Sequence, residues 1–300
     1  MVRRSEEMGK CAMKEGLKMT ITYLGPEGSF SEQAARCAAR LYQGEAVFVA
    51  MQTLEEAIAA VTQKHATHAV VPIENSIEGA INATLDTLIF DADLTLCAQV
   101  DLPVVQNLLM HPEVGEAVPA RIYSHPQGLA QSRKFLHKQY PQAALLPAPS
   151  TSEAARMVAE AGNGAEGVIA AVASVLAAER YGLVVRHAGI QENRSNTTQF
   201  AVVSAVPSAI YRHGEKTSLA FSTSNEPGAL YKILDIFALW NLNMTRIVSR
   251  PMKDTPGAYV FFIDIENPEN PDDMRDALTM VRRKTSFFKL LGSYPVWQGK

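Results

Sequence analysis

Apolar and polar positions alternate between two periods from residue 20 onward. Thr20–Leu24 is a short β-rich run that stops at the turn signal Gly25-Pro26. Ser29-x-x-Glu32 then has the form of a capping box. Behind it, Ala34, Ala35, Cys37, Ala38 and Leu41 fall on one helical face. Val47–Ala50 reads as a strand and Leu54–Thr62 as a helix. His68–Pro72 is an apolar run ending in the polar loop Glu74-Asn75-Ser76, followed by a helix through Leu88 and strand-like residues 94–105.

The middle of the chain repeats this order. Arg121–Ser124 predicts a strand, and one helix runs from about Pro126 to Lys138. Residues 144–149 are extended, Thr151–Ala161 is an Ala-rich helix, and Val168–Ala171 is a short apolar run. Ser174–Tyr181 is helical and closes at Gly182, and strands follow at 183–188 and 198–206. Alternation of this kind predicts α/β layers with largely parallel sheets. The polar stretch 208–216 reads as a linker. Beyond it the order is strand (217–223), helix (227–240), strand (243–251), strand (257–265), helix (271–283), strand (287–294), a split-βαβ, ferredoxin-like plan.

Length and composition narrow the function classes. At about 150 residues per domain, 300 residues suggest two domains. Lys and Arg total 28 and Asp and Glu 31, a net charge of −3 that excludes a basic nucleic-acid footprint. No apolar run of about 18 residues predicts a membrane helix. Residues 1–18 carry five cations and three acids with no apolar segment behind them, so they read as an N-terminal extension rather than a signal peptide, with Met19 a candidate start. Three isolated cysteines, Cys11, Cys37 and Cys97, make no disulfide framework and fit a reducing cytoplasm.

No P-loop, dinucleotide fingerprint, HExxH or GxSxG motif is present, so the expected chemistry uses no cofactor and no metal. Four polar clusters sit at strand ends instead: Gly25–Ser31, Pro72–Gly79, Ser124–Gln131 and Asn196–Phe200. In α/β sheets ligands bind at such ends. The first, a glycine-bearing loop feeding a helix, offers backbone N–H groups to an anion. Taken singly, each cluster also fits an ordinary capped turn.

In this order the clusters resemble prephenate dehydratase over about residues 20–295. The resemblance rests on Tyr23-Leu24-Gly25-Pro26-Glu27-Gly28-Ser29-Phe30-Ser31, Val71-Pro72-Ile73-Glu74-Asn75-Ser76, Ser124-His125-Pro126-Gln127, and the Ala173-Ser174 to Tyr181-Gly182-Leu183 segment. Residues 217–300 resemble an ACT regulatory domain through Asn225-Glu226-Pro227-Gly228-Ala229-Leu230 and Ser249-Arg250-Pro251. The resemblance implies a two-lobed α/β catalytic domain over 19–207, like a periplasmic binding protein, followed by the α+β ferredoxin-like unit.

It also implies decarboxylative dehydration of prephenate to phenylpyruvate in phenylalanine biosynthesis. Thr198, Asn75, Ser124 and Gln131 match the catalytic cleft, and Glu74, Ser76, Gly28, Ser29 and Phe200 match its substrate-binding surroundings. Asn225, Pro227, Gly228, Ala229, Leu230, Ser249, Arg250 and Pro251 match the site where phenylalanine acts as allosteric effector in a homodimer or homotetramer. Four positions depart from the family pattern: Gln199 and Val248 replace an Arg and a Glu, Gln106 a His, and Gly128 a larger residue. Side-chain alternation puts residue 199 on the opposite face from Thr198. The alternatives are a non-aromatising prephenate decarboxylase, an arogenate dehydratase and a non-catalytic amino-acid sensor.

Overall fold

The computed structural model describes residues 19–41, 45–162, 167–206, 215–253, 255 and 257–299. The expected extension, 1–18, and most of the expected linker lie outside them. The first lobe is built from β1 (Met19–Leu24), α1 (Phe30–Leu41), β2 (Ala46–Met51), α2 (Leu54–Thr62), β3 (His68–Asn75), β4 (Gly79–Ala80), α3 (Asn82–Asp86) and β5 (Thr95–Pro103). The second follows as β6 (Asn107–Met110), β7 (Arg121–Ser124), α4 (Pro126–Gln131), α5 (Arg133–Gln139), β8 (Ala144–Pro147), α6 (Thr151–Ala161), β9 (Ile169–Ala173), α7 (Val175–Tyr181) and β10 (Val184–His187). β11 (Thr197–Ser204) returns to the first lobe. The C-terminal unit comprises β12 (Lys216–Ser222), α8 (Ala229–Leu239), β13 (Met244–Pro251), β14 (Tyr259–Glu266), α9 (Pro271–Lys284) and β15 (Phe288–Tyr294), and β16 (Val296–Gln298) is the last element among the described residues.

Both lobe sheets are mixed, not largely parallel. The first is ordered β16-β5-β11-β3-β1-β2, with β4 beside β3, and β11 runs antiparallel to both neighbours. The second is ordered β10-β6-β9-β7-β8, and only β7 has parallel partners on both sides. The cause is connectivity. The chain leaves the first lobe at Pro103, builds the second, and re-enters between β5 and β3 from the opposite direction. The third sheet, β13-β14-β12-β15, is wholly antiparallel, as the split-βαβ plan requires.

Two expected helices are interrupted. The 126–138 helix breaks at Ser132 because the Gln131 carbonyl accepts from Glu192 N at 2.8 Å and cannot continue the helical ladder. A second helix restarts with Leu136 N donating to Ser132 O at 3.0 Å. The helix expected through Leu88 ends at Asp86 and widens into a π turn over Thr87–Asp91, closed by Ala92 N donating to Thr87 O at 2.9 Å.

The C-terminal unit is not a detached bead. Its Ala220, Val260, Phe262, Leu291 and Tyr294 share one buried cluster with Val71, Ile73, Leu88, Ala201 and Val203 of the first lobe. Burying a side chain such as Phe262 contributes roughly 1.5–3 kcal/mol. β15 crosses β5 so closely that a Cβ on Gly292 would lie 2.3 Å from Leu96 O, and Gly292 has φ +145°. β16 then pairs with β5, in parallel, as the outer strand of the first sheet, so the expected boundary at 217 does not divide the sheets cleanly. A row of cations completes the contact. Arg250 pairs with Asp86 through two 2.7 Å bonds, and Lys253 reaches Asp91 at 3.1 Å. Lys289 Nζ donates to Leu88 O at 2.7 Å and to Ala92 O at 2.5 Å, and burial pushes its pKa down. Among the described residues no helix is long and apolar enough to cross a membrane.

His68, 4% exposed on β3, is held neutral by burial, which pushes its pKa down to about 4 from an ordinary 6.5. Between these values the unfolded chain binds the extra proton, so folding stability falls as pH drops through that window. At 1.36 kcal/mol per pKa unit the loss reaches about 3 kcal/mol near pH 4. Urea unfolding at several pH values is expected to show this slope reduced in His68→Gln relative to the parent chain.

Candidate active site

β3 and β11 bring the two central residues together. Asn75 ends β3, Thr198 sits near the start of β11, and the two are direct register partners. Asn75 Nδ2 donates to Thr198 Oγ1 at 2.9 Å and to Asn196 Oδ1 at 3.0 Å. Asn75 Oδ1 accepts from Ile77 N at 3.0 Å and Glu78 N at 3.2 Å, which fixes the amide from both ends. The Thr198 hydroxyl therefore accepts from Asn75 and keeps its own hydrogen to donate. One residue further along, the pairing slips between Gln199 and Phe200, a β-bulge of the kind that re-aims side chains beside sites.

Asn75 and Thr198 line a cleft of about 600 Å³ between the lobes. Gln131, at the end of α4, lines the facing wall, where Gln106 Nε2 donates to Gln131 Oε1 at 3.4 Å. Gln131 Nε2 and Gln106 Oε1 are buried without a protein partner, leaving one donor and one acceptor for a ligand. His125, Gln127, Ser150 and Thr151 also line the cleft. His125 and Ser150 are the N-caps of α4 and α6, so both helices begin there. Among the described lining residues there is no lysine or arginine. The lining carboxylate, Glu153, accepts from Arg156 Nε at 2.9 Å, and that hydrogen bond pulls its pKa down.

Several expected site residues lie elsewhere. Ser124 is fully buried, and its Oγ donates to Val172 O at 2.6 Å, into the sheet and not into the cleft. Phe200 is 2% exposed in the first-lobe core. Ser76 Oγ stitches two loops, accepting from Thr197 N at 3.0 Å. Glu74 points to the other face of the sheet, where its carboxylate pairs with Arg246 at 2.6 Å. Gln199 takes the same side and accepts from Arg246, as alternation requires.

The Gly25–Ser31 loop is a latch rather than an anion cradle. Ser29 Oγ accepts from Glu32 N at 3.2 Å, as the expected capping box requires, but the Glu32 carboxylate reaches one residue further back and accepts from Gly28 N at 2.6 Å. Ser174 Oγ donates to Gly28 O at 2.8 Å, Tyr181 OH donates to Glu27 O at 3.1 Å, and Arg180 pairs with the Glu27 carboxylate. Gly28, at φ +78°, is pressed so close to α7 that a Cβ would lie 3.1 Å from Ala177 Cα.

A second cavity, of about 380 Å³, lies in the C-terminal unit. Asn225, Gly228, Ala229 and Leu230 line it as expected, with Glu226, Tyr259 and Phe261 in addition. Pro227 is not among the lining residues, nor are Ser249, Arg250 and Pro251. Arg250 faces the first lobe through its pair with Asp86.

Sequence reasoning gave no site role to Ser150 and Thr151, nor to Gln106, His125 and Gln127, although it noted Gln106 as a departure and placed His125 and Gln127 in a polar cluster. The signal for Ser150 and Thr151 was the Pro149-Ser150-Thr151 turn between an extended run and an Ala-rich helix.

The sequence profile of the prephenate dehydratase family matches residues 21–208. The prephenate dehydratase of Lactococcus lactis subsp. lactis is 38% identical over 283 residues, covering 93% of this chain and 98% of its own. The solved prephenate dehydratase of Arthrobacter aurescens in complex with L-Phe superposes with a TM-score of 0.80 at 31% identity, covering 92% of this chain and 90% of that one. A protein described as a novel type of quorum-quenching acylase superposes with the same TM-score, 0.80, at 30% identity over 92% of this chain and 98% of that one. A shared fold does not set a reaction; the site residues do.

Gly128 explains where the Ser124 hydroxyl lies. A Cβ at 128 would sit 2.6 Å from Ser124 Oγ. Gly128→Ala alone is expected to cost about 1–3 kcal/mol through overpacking and the lost Ser124–Val172 bond. In a Ser124→Ala background the same change is expected to stabilise, by up to about 1 kcal/mol of helix propensity. A double-mutant cycle in urea reads the sign reversal.

Proposed function

The chain belongs to the prephenate dehydratase family, and from that membership we propose how its cleft carries out the family's reaction. Prephenate loses its ring carboxylate as CO2. The electron pair of the broken C–C bond enters the ring, and the C4 hydroxyl leaves with the C–O pair. That oxygen takes up one proton and departs as water, and the ring becomes the aromatic ring of phenylpyruvate.

The observation that carries the reading is the Asn75–Thr198 pair. With Asn75 Nδ2 on its lone pair, the Thr198 hydroxyl has its hydrogen aimed by exclusion at a further acceptor. Thr198 donates it to the departing oxygen and relays a proton from the medium. Donors held in a water-poor cleft cost no reorganisation during reaction. Gln131 Nε2 and Gln106 Oε1 grip the substrate's polar groups from the facing wall. The α6 N-terminus with Ser150 and Thr151, and the His125 ring, take the carboxylates, because the first-turn N–H groups favour an anion. The two lobes close on the substrate as in a periplasmic binding protein. Gln199 supports aromatising dehydration over decarboxylation alone: it turns away from Thr198, so the exchange of Arg for Gln leaves the donor itself untouched.

We infer that the C-terminal unit is an ACT domain that binds phenylalanine; that the Arthrobacter aurescens relative was solved in complex with L-Phe supports phenylalanine as the ligand. The α8 N-terminus takes the carboxylate, Glu226 the amine, and Leu230 with Phe261 the ring. Tyr231, Ile247 and Tyr259, exposed on this unit, suit contact with a second copy in a homodimer or homotetramer. The setting is the cytoplasm.

Thr198→Ala is expected to lower kcat for phenylpyruvate formation by about 10²–10³-fold, as loss of a transition-state donor does. Thr198→Ser retains most of it. Prephenate consumed without phenylpyruvate would overturn the reading. Titration calorimetry is expected to give heat on adding phenylalanine, and Leu230→Asp to abolish it.

A further inference from the structure

Arg246 belongs to β13, in the C-terminal unit, yet its side chain ends beneath the catalytic pair. It is 7% exposed. Its Nη2 donates to Gln199 Oε1 and lies 2.6 Å from Glu74 Oε2. Its Nε lies 3.4 Å from Asp264 Oδ2 on β14, and its guanidinium sits 5.9 Å from the Phe262 ring centre. One side chain thus touches β3, β11 and β14 as well as its own strand.

The register gives this contact its meaning. Glu74 and Gln199 are direct partners across β3 and β11, and the next pair is Asn75 and Thr198. Successive residues face opposite sides, so Glu74 and Gln199 reach toward the C-terminal sheet while Asn75 and Thr198 reach into the cleft. The β3–β11 ladder slips immediately after the Gln199 pair, while β11 keeps its register with β5 and β3 pairs with β4. At the slip Arg246 adds a side-chain bridge between the two strands. Asp264, fully buried and bonded to Ser218 Oγ, holds Arg246 in turn.

We propose that Arg246 is a positioning residue for the reaction. By clamping Glu74 to Gln199 it fixes the spacing of Asn75 and Thr198, so the cleft is complete only with the C-terminal sheet docked. The proposal rests on the reading of Asn75 and Thr198 as the reacting pair. Displacements of about 1 Å at a reacting centre cost up to 10²-fold in rate, so loss of the clamp registers in kcat and not in KM.

The test measures phenylpyruvate formation from prephenate by the full chain. Arg246→Lys keeps the cation for Asp264 but lacks the planar fork that serves Glu74 and Gln199 together. It is expected to lower kcat by about tenfold or more, with KM within about threefold. Gln199→Met removes the other half of the clamp without touching a charge, and covers the case in which Arg246→Lys fails to fold. It is expected to lower kcat severalfold, and the double variant to lose no more than the worse single one. Lys253→Gln, which breaks the pair with Asp91 and the contact with the Phe90 ring but leaves the clamp intact, is expected to leave kcat unchanged. A parental kcat in folded Arg246→Lys and in Gln199→Met overturns the proposal, as does an equal loss in Lys253→Gln. Thr198→Ala, run alongside, separates the readings: if it stays active, the catalytic pair itself is misassigned; if it is inactive while the clamp variants are normal, only the clamp fails.

Discussion

Strand β11 enters the first sheet between β3 and β5, antiparallel to both, after the chain has already built the second lobe. Its entry point is therefore also the crossing between lobes. Val104 N donates to Asn196 O at 2.9 Å where the outgoing and returning segments pass. Any residue at the start of β11 stands at the floor of the cleft, supported from below by a sheet buried on both faces. Thr198 occupies that place, and Asn75 reaches it because β3 ends in register with it. The second lobe contributes the facing wall from the ends of its own strands and the starts of α4 and α6. The cleft is thus a product of the return connection rather than of any single motif.

The same sheet makes the C-terminal unit part of the enzyme's frame. Apolar residues from both share one core, and four cations of that unit, Arg246, Arg250, Lys253 and Lys289, bond to carboxylates and carbonyls of the first lobe. Exposed pairs such as Lys253 with Asp91 contribute little, typically 0–1 kcal/mol. Buried ones serve geometry more than stability, since desolvation offsets most of their attraction. The strands carrying Asn75 and Thr198 lie against this unit.

Much of this was legible in the sequence, for a physical reason. Strand ends show as apolar runs stopped by polar residues, which marked the clusters around Asn75, Ser124 and Thr198; the resemblance to prephenate dehydratase picked out Asn75, Gln131 and Thr198 within them, and the order of elements was readable apart from the short strands β4, β6 and β16. Ser124 stood out by the same rule, but a hydroxyl turned into the sheet leaves the same trace as one turned into a cleft. Gly28 and Ser29 read as an anion cradle because a glycine loop before a helix has free donors; here Glu32 takes the Gly28 N–H, and the second lobe binds the loop's carbonyls. Strand direction leaves no mark on a wholly apolar run, which hid the antiparallel insertion of β11. Arg246 was invisible because alternation along β13 gives each side chain a face, not a partner.

β16 closes the first sheet at a place where closure matters. Without it β5 would be an edge strand, nine residues long and mostly apolar, with a row of open amide and carbonyl groups. Such edges template pairing with other chains. Gln99 N and Gly299 N both donate across this junction, to Pro295 O and Asp101 O at 2.9 Å each. Residues 296–298 therefore cover the edge that β5 would otherwise expose. A nascent chain leaves this side of β5 unpaired until residues 296–298, nearly 200 positions later, have been made and laid against it.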